Sequence, residues 1–386
     1  MNILIVLTYF QPYKSGLTIY AVRQAKALAA CGYYVTVLTS RYDRGLSSEE
    51  WDEGVRIIRI PVAFRLSKGV VMPQLPFKAW RLIGQADVVN LHVPQADAAF
   101  LAILAKLRRT PVVVTYHCDI GMPEGLINKV AGWAVRLAHR ISAGLADVIV
   151  HNTRDFAEHS QFLKKYLNKL SIIQPPVTVE PVTAEDVAAF RNKYGIQPDQ
   201  RVVGMVARLA SEKGVETLVE ALPEVVKVVP NVRVIFVGEY ENVPGESAYR
   251  ERLLPIIQDL GTYWTFLGVI SEVEKSAFFK VCDVLALPSI NSTESFGMVQ
   301  VEAMISGTPV IATDLPGVRQ PVLSSGMGMI VPPQETGALA GALIDILESG
   351  VGIDHEKVKA LVDYYAPETV AQAYEPLFRD LTRHDE

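Results

Sequence analysis

Residues 283–313 read DVLALPSINSTESFGMVQVEAMISGTPVIAT. DVLALPS and PVIAT are short apolar, β-branched runs with strand character, so the stretch between them should be a loop and a crossover helix. Strand, crossover and parallel strand make one βαβ unit. Ser292, Thr293 and Ser295 are candidate N-caps, and Gly307 followed by Thr308-Pro309 is a helix stop. The helix is therefore expected from Phe296 or Gly297 to Ser306. Its first turn would leave backbone N–H groups without helical acceptors, and Gly297 would let a ligand come close, which suits a phosphate. Glu294 falls just ahead of that site and Glu302 inside the helix. A carboxylate only accepts hydrogen bonds and so suits sugar hydroxyls. One glutamate on each side of a phosphate site matches the layout ribose, diphosphate, hexose. In the competing reading, Glu302 faces solvent beside Ser306 and Glu294 is an ordinary loop residue.

The same alternation runs outward in both directions. NILIVLTY, YYVTVLTS, VRIIRIP, DVVNLHV, PVVVTYH, ADVIVHN and KLSIIQ in the first half read as strands. RVVGMVA, VRVIFVG, WTFLG, DVLALP, PVIAT and GMIVP do so in the second, with amphipathic stretches between them. Near-continuous apolar strands separated by helices imply parallel sheets covered on both faces. Because the pattern occurs twice, the fold class is α/β with two doubly wound domains. Pro175, Pro176 and Pro181 exclude helix and central strand and mark the boundary. The expected division is an N-terminal domain over 1–176, a linker over 177–200 and a C-terminal domain over 201–365. A last helix at about 366–386 has the N-terminal domain as a packing candidate.

Ligands of open α/β sheets bind beyond the carboxyl ends of the strands. VVGMVARLASEKGVETLVEAL reads as strand, loop and helix, with Arg208 just past the strand and Lys213 closing the loop. A planar guanidinium and a compact ammonium together could neutralise a diphosphate. Alternatively the two are solvated, with Lys213 paired to Glu212 or Glu216.

With 386 residues, 49% hydrophobic and 20% charged, the chain is globular and long enough for two cores. The first 172 residues carry a net charge of +9 and the remainder −14, a division that points to two domains with different partners. The overall −5 argues against nucleic acid. MNILIVLTYF reads as a first strand rather than a leader, and no apolar run is long enough to cross a membrane. Cys31, Cys118 and Cys282 are far apart and suit a reducing cytoplasm.

Taken together, these residues resemble the retaining glycosyltransferases of family 4, which have the GT-B fold of two Rossmann-like domains facing across a cleft. The resemblance rests on the Glu-x7-Glu segment ESFGMVQVE, the following AMISGTPVIATDLPG, ARLASEKG and FLGVIS, together with an N-terminal glycine loop and a histidine after an inner strand. It implies that Glu302 binds the donor ribose, and that Glu294, with the backbone of Ser295, Phe296, Gly297, Met298 and Val299, meets the donor sugar and its phosphates. It further implies that Arg208 and Lys213 hold the diphosphate and stabilise the departing nucleotide, and that Gly268, Val269 and Ile270 lie against the nucleobase. Gly16 would approach the diphosphate, and His117 would sit near the reacting face of the donor sugar. Where many members have two adjacent glycines, this chain has Ser15-Gly16. The part played by Asp119, just after His117, stays open.

The implied reaction moves a hexosyl group from a UDP-sugar or GDP-mannose to a hydroxyl acceptor, with no resident cofactor and no metal. No Asp-x-Asp occurs in the chain. The family reaction retains configuration without a protein nucleophile. His117 is read as a positioning donor rather than a general base; against this stands a buried strand-end histidine with a satisfied ring. Histidines 92, 139, 151, 159, 355 and 384 show no metal-ligand spacing and take no role. A nicotinamide dehydrogenase is disfavoured because no Gly-x-Gly-x-x-Gly turn follows a strand. A nucleotide-sugar 2-epimerase and a non-catalytic nucleotide-sugar-binding protein compete with the transferase assignment. GLINKVAGWAVRLAHRISAG sets Lys129, Arg136 and Arg140 among apolar residues including Trp133. Such a helix either packs on the sheet or lies on an anionic membrane, and on the second reading the hydroxyl acceptor, lipid-linked or glycan, is expected to be anionic or lipid-linked. The expected location is cytoplasmic, with peripheral contact at the inner face of the membrane.

Overall fold

The computed structural model describes residues 1–66, 69–119, 126–350, 352 and 354–383, with the side chains of 66, 126–131 and 383 outside that set. Two compact units form, Met1–Val177 with Tyr364–Glu386, and Thr178–Asp363.

The first unit is built on strands β1 (Asn2–Val6), β2 (Tyr34–Arg41), β3 (Glu49–Asp52), β4 (Val55–Pro61), β5 (Phe64–Leu66), β6 (Gly69–Val71), β7 (Val88–Val93), β8 (Val112–Tyr116), β9 (Val148–His151) and β10 (Leu170–Ile172). Eight of them form one sheet in the order β10-β9-β8-β7-β1-β2-β4-β3, while β5 and β6 make a separate antiparallel pair. The sheet is parallel except for β3, which runs antiparallel to β4. Its helices are α1 (Gly16–Ala30), α2 (Leu75–Ile83), α3 (Ala98–Leu107), α4 (Leu126–Leu145) and α5 (Arg154–His159). Every residue of β7 and β8 is buried, as expected of inner strands covered on both faces.

The second unit opens with α6 (Ala184–Lys193) and continues through β11 (Arg201–Val206), α7 (Val215–Val228), β12 (Val232–Val237), α8 (Ser247–Asp259), β13 (Trp264–Gly268), α9 (Glu272–Val281), β14 (Val284–Leu287), α10 (Met298–Ile305), β15 (Val310–Thr313), α11 (Gln320–Ser325), β16 (Gly328–Val331), α12 (Thr336–Ser349) and α13 (His355–Tyr365). Its six parallel strands are ordered β13-β12-β11-β14-β15-β16. In unit numbering this is 3-2-1-4-5-6, the Rossmann order, whose switch point lies between β11 and β14.

The stretch expected to be a linker, 177–200, holds a helix instead. Thr183 and Asp186 form a reciprocal capping box that starts α6. Phe190, 3% exposed, fixes α6 to α9 through contact with the Phe278 ring. The prolines end at 181, so nothing in the covalent chemistry of 183–193 opposes helix. The last helix, α14 (Pro367–Arg383), lies on α1 in the first unit. Its Tyr374 hydroxyl reaches the buried Tyr20 hydroxyl at 2.9 Å and Thr115 Oγ1 at 3.4 Å. Arg383 ends the described chain, so His384 lies outside it.

Candidate functional site

In the second unit, the loops after β11 and β14 flank the switch point. They are bound to one another. The Ile290 N–H donates to the Glu212 carbonyl at 3.0 Å, and Gly214, with φ of 67°, passes so close to Pro288 that a Cβ would sit 1.8 Å from its carbonyl oxygen. Only glycine meets both demands. Arg208, Lys213 and Glu294 are carried on this joined pair of loops.

Lys213 Nζ lies 2.7 Å from Glu294 Oε2, with the two side chains 20% and 18% exposed. Its partner is thus Glu294, not Glu212 or Glu216. Burial by itself pulls the ammonium toward neutrality, but the charge and hydrogen bond of Glu294 outweigh it and hold Lys213 above the ordinary lysine value. The lysine therefore stays cationic through the neutral range. Arg208 is more open and reaches Glu212 Oε1 at 3.2 Å, while Glu216 pairs with Arg252.

The helix after this loop starts on Gly297, which has φ of 76° and whose Cβ would meet Leu287 Cδ2 at 2.5 Å. The expected Ser/Thr cap is absent: the N-cap is Gly297 and no side chain caps α10. Thr293 instead turns its N–H and hydroxyl to Asn291 Oδ1, at 3.0 and 2.6 Å. A glycine start leaves the first-turn N–H groups of Met298 and Val299 without a capping side chain to cover them. Behind the turn, the buried Gln300 donates to the carbonyls of Phe296 and Val318. The helix stops in a Schellman arrangement, with Gly307 N–H to Met304 O and Thr308 N–H to Ala303 O, both 2.9 Å.

Glu302 is 4% exposed, which overturns the solvent-facing reading. Its Oε2 lies 3.2 Å from Lys275 Nζ on α9, and that lysine also reaches Glu272 at 2.7 Å. Lys275 was not legible in the sequence as a site residue, because it meets Glu302 only through the packing of α9 beside α10. Gly268 to Ile270 run from the end of β13 toward α9: Gly268 has φ of 71°, Val269 is 65% exposed, and Ile270 is buried. Two carboxylates, three cations (Arg208, Lys213 and Lys275) and a helix N-terminus with no side-chain cap thus share one edge of one sheet. Chemically, the set can neutralise an anion and accept from hydroxyl groups.

In the first unit, Gly16 is the exposed first residue of α1, and Ser15 caps that helix by accepting from Thr18 N–H at 3.2 Å. The serine in place of a second glycine therefore has a structural task. His117, just past β8, has Nε2 2.9 Å from His92 Nδ1, and the rings stack with centroids 5.1 Å apart. Burial, His92 and His151 hold His117 well below the ordinary histidine value, so the ring is neutral at pH 7. Asp119 has a tether role: its Oδ1 accepts from the Tyr116 hydroxyl at 2.8 Å and Ser160 Oγ at 2.7 Å. Among the described residues, no group of three or more His, Cys, Asp or Glu side chains is placed to hold a metal ion.

Known proteins share both halves of this design. The family described as glycosyl transferases group 1 matches residues 186–365, and the glycosyl transferase 4-like domain matches residues 15–165. The chain belongs to the group 1 glycosyltransferases and is a glycosyltransferase with the GT-B fold. It is 27% identical over 353 residues to the phosphatidyl-myo-inositol mannosyltransferase of Mycolicibacterium smegmatis, covering 90% of this chain and 85% of that one. Over 336 residues it is 26% identical to the alpha-monoglucosyldiacylglycerol synthase of Acholeplasma laidlawii, covering 81% and 80%. In structure it is similar to a sucrose-phosphate synthase from Thermosynechococcus elongatus, with TM-score 0.78, 22% identity and 99% of both chains covered. Anabaena Alr3699/HepE in complex with UDP-glucose gives TM-score 0.76 at 22% identity, covering 98% and 99%.

Proposed function

We propose that this enzyme moves a hexosyl group from a nucleoside diphosphate sugar to a lipid-borne hydroxyl, with retention of configuration and without a metal. The observation that carries the donor half is the Lys213–Glu294 pair beside the Gly297 helix start, with buried Glu302 inside the same helix. In this reading the diphosphate lies between Arg208, Lys213 and the first-turn amides of α10. Glu302, oriented by Lys275, accepts from the ribose hydroxyls, and Glu294 accepts from the sugar. As the bond from anomeric carbon to phosphate breaks, negative charge builds on the departing diphosphate. The two cations and the amides are already aimed at it and need not reorganise, which is what makes such donors effective. His117 serves as a neutral hydrogen-bond donor to the sugar. The direct test is product formation from UDP- and GDP-sugars with a lipid acceptor in excess chelator. Retained anomeric configuration in the product is expected; transfer that stops with the metal removed, or an inverted product, would contradict the reading.

The acceptor half is supported by one layer of the first unit. On α4, Trp133 (63% exposed), Leu137 and Ile141 follow one another at helical spacing, with Arg136 and Arg140 beside them, all facing out. The inner side of α4 is carried by His139, Ser142 and Ala143. Lys129, the third basic residue of this segment, has its side chain outside the described residues. Neighbouring α3 exposes Phe100, Ile103 and Leu107, and α2 exposes Phe77 (81%) and Trp80, with Arg108 stacked over the Trp80 ring. Both packing on the sheet and an outward amphipathic face are thus present in one helix. Apolar side chains mixed with fixed positive charge suit an anionic bilayer. No described helix is long and apolar enough to cross a membrane. The names of the two relatives concern a phosphatidylinositol and a glucosyldiacylglycerol. Vesicles of anionic phospholipid are expected to sediment the protein at low salt. Exchanging Trp133 and Arg140 together for serine should weaken that binding by about tenfold or more, since each surface charge contributes about 1 kcal/mol. Equal sedimentation of both forms, or none with the native protein, counts against it.

A further inference from the structure

Nothing in the sequence marks His92, yet it is 0% exposed and its Nδ1 lies 2.9 Å from Nε2 of His117. One proton must sit between these two nitrogens, and which ring owns it fixes what His117 can do. The far nitrogen of His92 decides the matter. His92 Nε2 is buried and, among the described residues, has no hydrogen-bond partner. If His117 supplied the shared proton, the neutral His92 ring would carry its own on Nε2, as a buried N–H with no acceptor. If His92 supplies it from Nδ1, Nε2 is left as a bare lone pair. An orphaned buried N–H is the rarer and costlier of the two. The neighbouring ring shows the same choice made without ambiguity. His151 Nδ1 is 2.7 Å from the Tyr116 carbonyl, which can only accept, so Nδ1 is protonated and the buried Nε2, without a partner among the described residues, is bare.

We propose that His92 is a positioning residue: its Nδ1–H donates to His117 Nε2 and so fixes His117 as the tautomer protonated on Nδ1. The consequence deepens the reading of His117 given above and rests on it. With its Nε2 lone pair occupied and its only proton on Nδ1, His117 can give a hydrogen bond from Nδ1 but has no lone pair with which to take a proton. It acts as a donor and not as a general base. Tyr20 holds the stack in place, with its ring edge-on to His117 at 4.9 Å and to His92 at 5.9 Å. The Tyr20 hydroxyl is in turn fixed by Tyr374 from the C-terminal helix.

The test is a long-range nitrogen–proton correlation spectrum of the full-length protein labelled with 15N-histidine, which reads the protonated nitrogen of each ring. The expected native spectrum shows both His92 and His117 protonated on Nδ1, with the His92→Phe variant, in which nothing donates to His117 Nε2, no longer holding His117 to that one form. His92→Phe should lower kcat by about a hundredfold with the donor KM little changed. His92→Asn, whose amide N–H can occupy the place of Nδ1, should restore most of that loss. A native His117 protonated on Nε2 overturns the proposal whether or not any variant folds. So does a His92→Phe enzyme of native kcat whose His117 has changed tautomer, provided His117→Ala is strongly impaired. If His117→Ala also keeps native kcat, what fails is the place of His117 in the reaction, and the tautomer pairing stands on the spectrum alone.

Discussion

Replacing Lys213 by alanine is expected to lower turnover by about a hundredfold or more while the fold stays intact, because one preorganised cation facing a developing oxyanion is worth about 3 kcal/mol of barrier. Lys213 is suited to this by its surroundings. Glu294 keeps it charged despite burial, and the close passage of Gly214 under Pro288 fixes the turn that presents it. In the absence of ligand the ammonium is compensated by Glu294 at 2.7 Å, so a diphosphate entering beside it need not neutralise a bare charge. The alanine variant loses the charge on the leaving group and also frees Glu294 to repel the phosphates. The lost cation falls mainly on the bond-breaking step and the freed carboxylate on donor binding as well, so steady-state kinetics should show kcat reduced together with a smaller loss of donor affinity. Native turnover in this variant would remove Lys213 from the mechanism. Lys213→Arg should recover only part of the loss, because a planar fork does not occupy the position of a point charge.

Glu302→Gln is expected to act differently, raising the donor KM by ten- to a hundredfold with a smaller change in kcat. That range corresponds to about 1.5–3 kcal/mol, the usual contribution of a hydrogen bond to a charged group. The change preserves side-chain shape in a site that is 4% exposed. Lys275 would not be stranded, because Glu272 remains 2.7 Å from it. The stability loss should therefore fall below that of breaking an isolated buried pair. Thermal denaturation alongside kinetics separates the two tasks Glu302 could have. A lower melting temperature with unchanged donor KM would mean that the Lys275–Glu302 pair only holds α9 to α10.

The strands of both sheets were legible because a parallel strand covered on both faces must be apolar along its length, and runs such as VVNLHV and VIAT leave no other reading. The exceptions follow the same logic in reverse. β3 reads EEWD, an antiparallel edge strand whose side chains need not be buried, and β5 and β6 are too short to show a period. The helix at 184–193 was hidden by the prolines before it. Within the site, Arg208, Lys213, Glu294 and Glu302 could be picked out because strand ends and helix starts have local signatures. The partners that make them a site could not. Lys213 and Glu294 are 81 residues apart, Lys275 meets Glu302 by helix packing, and His92 meets His117 across neighbouring strands 25 residues apart in sequence. Pairings of this kind are consequences of strand order and have no trace in spacing.

The central claim is that Arg208 and Lys213 receive the diphosphate of a nucleotide sugar. Isothermal titration of UDP and GDP into the native protein and the Arg208→Ala, Lys213→Ala double variant, both in excess chelator, tests it most directly. The account predicts metal-free binding of at least one nucleotide to the native protein, weakened by about a hundredfold or more in the folded double variant. Equal affinity in the two proteins, or binding that appears only when a divalent metal is added, would contradict it.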